Sequence, residues 1–396
     1  MSSPNPDRGA LRREEKLLFL CARVEVSESD LIPLREISSS DPDWEYLVTL
    51  SSSHRVSPLL YQNLKKYIPN GPPKSVLNQL KAKVMQNGGK NLFLVRSLLS
   101  ILGLLRDHGI QALTFKGPVL AENVFGNVGL RTFSDLDLLI SHKDLRKAIC
   151  VLEEQGFRQD IDLSSAQYEK LVNKWHHAVL IKDGVVVELH WELNGRYFSK
   201  DVTLESLWPR IEHVDLFGHE VATLGPEDLL LYLCIHGCRH LWLQLDAVCC
   251  VAEVVRKKAD LDWDLVFGLA QDLGAVKMLL LGLMLARELL GTVLPENIAQ
   301  MLLLYPKLKE IAGGIAAGIF TSSEMPAPPM SYREYIVYHY CIMDRRRDCL
   351  RYCLRPLFNP THSDWLWVRL PASLSFLYFL LRPFRLVGKN MNKLFR

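Results

Sequence analysis

The chain has 396 residues, 48% hydrophobic and 23% charged, a globular composition with enough core for about two to three domains. Lys+Arg number 47 against 44 Asp+Glu, a net +3, and no basic stripe with interleaved aromatics crosses the centre, which disfavours nucleic acid as a substrate. The nine cysteines include no CxxC pair, which argues against a zinc ribbon; with a polar N-terminus that reads as no signal peptide, they fit reduced thiols in a cytoplasm.

Residues 1–10, rich in Ser, Pro and Asn, read as disordered. From Leu11 to Leu64 the apolar spacing is helical, with a helix from about Trp44 capped by Asp41 or Asp43. By itself the segment 44–64, which holds His54, Arg55 and Pro58-Leu59-Leu60-Tyr61, reads as core packing. A long helix is predicted from about Ser75 to Asp107, with Gly88-Gly89 marking a bend and Gly109 a stop.

The centre is the stretch 112–140. Ala112 to Phe115 suits a buried strand, Gly117 breaks it, and Pro118 suits the first position of a helix. A helix start carries free N–H groups and a positive dipole end, a place for a phosphate, with Lys116 beside it. Phe133 to Ile140 reads F-S-D-L-D-L-L-I. Alternation along a strand puts Asp135 and Asp137 on one face and Leu136 and Leu138 on the other. Adjacent carboxylates repel, so the pattern reads either as a solvated strand face or as a site for a hard cation such as Mg²⁺.

Lys143 to Gln155 follows as a helix stopped by Gly156, and 157–175 is ambiguous between strand and helix. His177–Lys182 and Val185–Trp191 flank Asp183-Gly184, the signature of a tight hairpin with a type I′ turn. On its second strand Val186, Glu188 and His190 share a face; Glu188 is either an exposed hairpin residue or a third metal carboxylate. Residues 225–258 read as a helix pair begun by Gly225-Pro226-Glu227-Asp228. His236 and His240 have metal-ligand spacing, but position 237 is Gly rather than the Glu a zinc hydrolase needs, which favours a place in the cleft wall or in hydrogen bonds within the helices. Helices are expected from Asp262-Trp263-Asp264 and over Val276–Leu290, then a loose pattern after Gly291 that is small and apolar over 312–320, a linker over 321–331, one basic helix over Tyr332–Cys353 and a turn over 356–361. Residues 365–381 are apolar but interrupted by Arg369 and Pro371, too short to span a bilayer. Residues 333–396 hold 12 Lys+Arg and 4 Asp+Glu, a balance of +8, so the remainder carries −5. This tail reads as packing on the helical part or as a surface-lying membrane or protein contact.

A Gly turn opening a helix, an Arg and a D-x-D strand, in that order, resemble the nucleotidyltransferase superfamily built like DNA polymerase β. The wider series is similar to a poorly characterised nucleotidyltransferase family found in bacterial polysaccharide and peptide biosynthesis clusters. It comprises Trp44, Leu47, His54, Val56, Pro58 and Tyr61; Lys116, Gly117, Arg131, Asp135 and Asp137; Glu188 to Trp191; and His236, Gly237, His240, Trp242 and Leu245. The resemblance covers roughly residues 14–290. Four features depart from it. Pro118 stands where Gly or Ser is common, the gap from Gly117 to Asp135 is long, Glu188 stands where Asp is usual, and Cys250 stands where an acidic residue is expected.

The resemblance implies an α/β (α+β) fold: a small mixed sheet of polymerase β-like topology flanked by N- and C-terminal helical regions. The division expected is 1–108 helical, 109–222 the nucleotidyltransferase core, 223–320 helical and 321–396 a basic tail. It implies an enzyme that moves a nucleotidyl group from an NTP to a hydroxyl or phosphate of a small-molecule or peptide acceptor in a biosynthetic pathway. Asp135, Asp137 and Glu188 would be catalytic and hold two Mg²⁺ ions; Lys116, Gly117 and Arg131 would bind the nucleotide's phosphates. The alternative for Arg131 is a structural pairing with an Asp. The alternatives are a catalytically weakened nucleotide- or partner-binding scaffold, or a membrane-docked accessory protein. The expected location is cytoplasmic or peripheral to the membrane.

Overall fold

The computed structural model describes residues 11–159, 177–194, 197–258, 260–320, 331–358, 364, 367, 368, 370, 374 and 376–394. The expectations for 1–10, for 160–175, for the linker at 321–330 and for most of 359–375 lie outside these residues.

Four short helices come first: α1 (Arg13–Cys21), α2 (Glu28–Ser39), α3 (Trp44–Ser53) and α4 (Ser57–Tyr67). Asp43 is the cap of α3, its carboxylate accepting the Tyr46 N–H at 2.9 Å, which settles the choice between the two aspartates. The long helix α5 (Lys74–Asp107) runs through Gly88 and Gly89 as one element. By length and composition α5 is the one described helix able to cross a membrane. Its buried face, Leu94, Val95, Leu98, Ile101 and Leu105, packs in the core behind the sheet.

The sheet follows from the sequence pattern. It consists of β1 (Ala112–Thr114), β2 (Asp135–Ile140), β3 (Arg158–Gln159), β4 (His177–Lys182) and β5 (Val185–His190), in the order β1-β2-β5-β4-β3. Only β2 and β5 are parallel; the other neighbours are antiparallel. Between β1 and β2 lies α6 (Gly117–Phe125), and between β2 and β3 lies α7 (Leu145–Glu154). Asp183 and Gly184 have φ of 48° and 80°, both left-handed, as the type I′ turn requires. One sheet face, with Leu136, Leu138, Ile140, Val187 and Leu189, meets α5 and α7 in one core; Leu139, from the other face, belongs to a second core built largely of helices. A second hairpin, β6 (Glu212–Leu216) and β7 (His219–Thr223), forms a two-stranded sheet of its own and packs beside β1. Its turn is Phe217-Gly218, at φ 55° and 82°; Gly218 suits it, but Phe217 stands where Asn, Asp or Gly is favoured, which weakens the sequence signal.

A short helix, α8 (Leu204–Leu207), precedes that hairpin, and the chain then becomes helical: α9 (Pro226–Arg239), α10 (Leu245–Lys257), α11 (Trp263–Leu273), α12 (Val276–Leu290), α13 (Glu296–Leu303), α14 (Pro306–Gly318), α15 (Tyr332–Ile342), α16 (Arg346–Phe358) and α17 (Leu377–Leu394). The loose stretch expected after Gly291 holds α13 and α14, and the single basic helix expected over 332–353 is two. The break at Met343-Asp344-Arg345 has a tertiary cause. Asp344 leaves the helix to accept the Val276 and Lys277 N–H groups at 2.7 and 3.2 Å, capping α12, while Arg345 donates to the carbonyls of Gln271 and Asp272.

Two buried histidines give the fold a pH dependence. Burial pushes His54 and His339 down from 6.5 to about 4. Unfolded, both take protons near their ordinary pKa; folded, they resist until about pH 4. Their stabilising contribution is therefore full above pH 6.5 and is lost as pH falls toward 4. The unfolding midpoint should drop across that window, and His54→Gln should flatten the drop. An identical pH profile in the variant would contradict this.

Candidate active site

The sheet brings the sequence-predicted carboxylates together. The parallel register of β2 and β5 pairs Asp137 with Glu188, and Asp135 with Val186. Asp135, Asp137 and Glu188 open on one cavity of about 460 Å³, within the range of small-molecule sites. Lys116, Gly117 and Arg131 line it too, with Arg55, His236, His240, Trp242 and Asp246 from the helices around it.

Lys116 lies in the short connection between β1 and α6. Its ammonium donates to Asp137 Oδ1 at 2.9 Å and lies 5.6 Å from the ring centres of both Phe115 and Tyr232. Gly117 has φ +52°, and a Cβ there would stand 3.4 Å from the Asp135 carbonyl oxygen. Only glycine takes that conformation at no steric cost while the backbone passes this close to β2. Pro118 then stands in the first turn of α6, second after Gly117.

Asp137 is almost fully buried and also meets His190 Nε2 at 3.2 Å; the same nitrogen lies 3.2 Å from Glu188 Oε2. Burial opposes the Asp137 charge, but Lys116 and the His190 hydrogen bond outweigh it and hold the carboxyl below its usual range. Burial likewise opposes the Lys116 charge, and Asp137 and Tyr232 reverse that, raising it. The His190 hydrogen bond lowers Glu188. Burial, the Asp137 charge and the Glu188 charge together push Asp135 up, against the weaker pull of Lys116. Burial works against a charged His190, and its two carboxylate partners raise it despite that. Asp137, Glu188 and His190 each offer a donor atom within 4.8 Å of the others, the one such group among the described residues. Asp135 lines the same cavity outside that trio. Three acidic side chains served chiefly by Lys116 and His190 leave negative charge that a hard divalent cation would balance, so the residues present fit a metal.

Arg131 stands elsewhere in the cavity. Its guanidinium is 4.0 Å from Asp246, the Asp pairing left open in the sequence, and its carbonyl is held by the amides of Asn87 and Asn91. Cys250, where an acidic residue is expected, lines the cavity, and so does Asp246 one helical turn earlier. His236 and His240 stand in the cavity wall with ring centres 4.3 Å apart, both driven below 6.5 chiefly by burial and so neutral.

The N-terminal helices reach the site through His54. Its Nδ1 accepts the Leu245 N–H at the start of α10, 3.3 Å away, and Arg55 beside it faces the cavity with φ +59°. Leu241 and Trp242 are also left-handed, at 56° and 54°, so strained backbone gathers around this cavity. Sequence reasoning gave His190, Arg55, Tyr232 and Asp246 no role. His190 had a usable signal, since it shares a strand face with Glu188; Tyr232 had none. Gly237 is explained by packing: a Cβ there would lie 2.4 Å from the buried Trp242 ring. Gly237→Ala should cost about 1–3 kcal/mol by overpacking, read as a lower unfolding midpoint, and an unchanged midpoint would refute that account.

A five-stranded mixed sheet with carboxylates facing a cavity walled by helices is consistent with a nucleotidyltransferase fold. The family model described as "Uncharacterised nucleotidyltransferase" matches residues 40–291, and the chain belongs to that family of nucleotidyltransferases. No curated protein matches it. Among solved structures it is similar to the antibiotic-resistance factor ANT(2'')-Ia at 12% identity, over 46% of this chain and 91% of that one, with a TM-score of 0.32.

Proposed function

We propose that the protein transfers a nucleotidyl group from an NTP, with Mg²⁺, to a hydroxyl or phosphate of a small-molecule or peptide acceptor. The observation that carries this is the parallel register that sets Asp137 against Glu188, with Lys116 on Asp137 and His190 between the carboxylates. Asp135, Asp137 and Glu188 are the residues that would hold the metal, with His190 within reach. A Mg²⁺ ion held by them would supply charge to neutralise the triphosphate and would lower the pKa of the acceptor hydroxyl. Lys116 adds positive charge on the phosphate side, and the first turn of α6 offers backbone N–H groups to phosphate oxygens, less the one Pro118 lacks. Glu188, aligned by His190, accepts the acceptor's proton. Arg131 and Arg55 supply further cations in the cavity wall.

The buried thiols fit a reducing cytoplasm, and we place the protein there. The pairing of Lys116 with Asp137 favours a second reading, a nucleotide-binding scaffold in which the lysine stands in for a metal. The two separate on incubation with each α-labelled NTP, Mg²⁺ and fractionated small-molecule extract. Transfer predicts a labelled product that Asp135→Asn loses. Nucleotide binding with no product in any fraction would favour the scaffold.

A further inference from the structure

We infer that the C-terminal helix pair is a docking surface for a negatively charged lipid bilayer, independent of nucleotidyl transfer. α16 and α17 pack on each other, and each is anchored on one side. Cys349 and Cys353 of α16 are buried, and Tyr332 donates to the Cys353 carbonyl; Tyr378 of α17 is buried, and Arg382 and Arg385 both pair with Asp364. Outside, each helix carries a recurring set of apolar side chains. Leu350, Leu354 and Phe358 recur every four residues on α16; Phe376, Leu380 and Phe384 do the same leading into and along α17, all between 40% and 75% exposed. Such spacing lays each set along one helix stripe. Trp367, also more than half exposed, joins them, with the Arg385 guanidinium 5.7 Å from its ring centre.

The charge around these stripes selects the occupant. Arg346, Arg347 and Arg351 are exposed on α16, and residues 333–396 carry +8 against −5 for the remainder. A second copy meeting this face symmetrically would set these arginines against arginines. An anionic bilayer complements it: aromatic and leucine side chains enter the headgroup boundary and arginines meet lipid phosphates.

The test is co-sedimentation of the full chain with neutral phosphatidylcholine vesicles and with vesicles containing phosphatidylglycerol. The expected result is recovery in the pellet with the anionic vesicles, weakened by high salt, and at least about tenfold weaker partition for Leu380→Glu/Phe384→Glu. That double variant changes only exposed positions, and an unchanged unfolding midpoint confirms its fold. Equal recovery in the supernatant with and without anionic vesicles would overturn the inference. So would a dimer in solution that the double variant dissolves, since a second copy would then own the face.

Discussion

Asp137→Asn should reduce nucleotidyl transfer by at least about 10³-fold, the several kcal/mol that a metal contributes to transition-state charge. The substitution keeps the side chain's shape and removes its charge. It takes away the residue on which Lys116 and His190 both converge, at 2.9 and 3.2 Å, and the carboxylate paired in register with Glu188. Asp135→Asn should lose activity to a similar degree with little effect on stability, because Asp135 is less buried and its own burial and neighbours already press it toward the neutral form. Steady-state transfer and thermal unfolding on both variants separate the two effects. Full activity in either would remove the metal site from the mechanism.

Lys116→Met should destabilise the metal-free protein by about 3–5 kcal/mol, the cost of leaving one partner of a buried ion pair uncompensated. Asp137 is 2% exposed and the Lys116 side chain 21%, so the lower end of that range applies. The more telling consequence concerns Mg²⁺. Lysine and metal serve the same carboxylate, so the variant should gain more unfolding temperature from added Mg²⁺ than the wild type does. Scanning calorimetry across a Mg²⁺ series reads this directly. Equal gains in both proteins would place the ion away from Asp137.

The site was legible in the sequence wherever chemistry and local geometry coincide. Strand alternation placed Asp135 and Asp137 on one face, and the Asp183-Gly184 turn fixed the hairpin that carries Glu188. The parallel pairing of β2 with β5, which makes those carboxylates neighbours, joins strands nearly fifty residues apart and leaves no local mark. The same holds for Asp246, which reaches the cavity on α10, for Arg55, which reaches it from the turn between α3 and α4, and for Tyr232, which meets Lys116 from α9. Resemblance named the His54 and Trp242 positions without giving a reason for them; the His54 hydrogen bond to Leu245 and the Trp242 ring on Gly237 supply it. The break in the basic helix was hidden because its cause, Asp344 capping α12, lies far away in sequence.

The central claim is that these carboxylates bind an NTP through a divalent cation. Calorimetric titration of a nonhydrolysable analogue of each NTP into the wild type and Asp135→Asn, with and without Mg²⁺, tests it most directly. The account predicts binding of at least one analogue that requires Mg²⁺ and disappears in the variant. Binding that ignores Mg²⁺, persists in the variant, or fails for all four analogues with a folded wild type would contradict it.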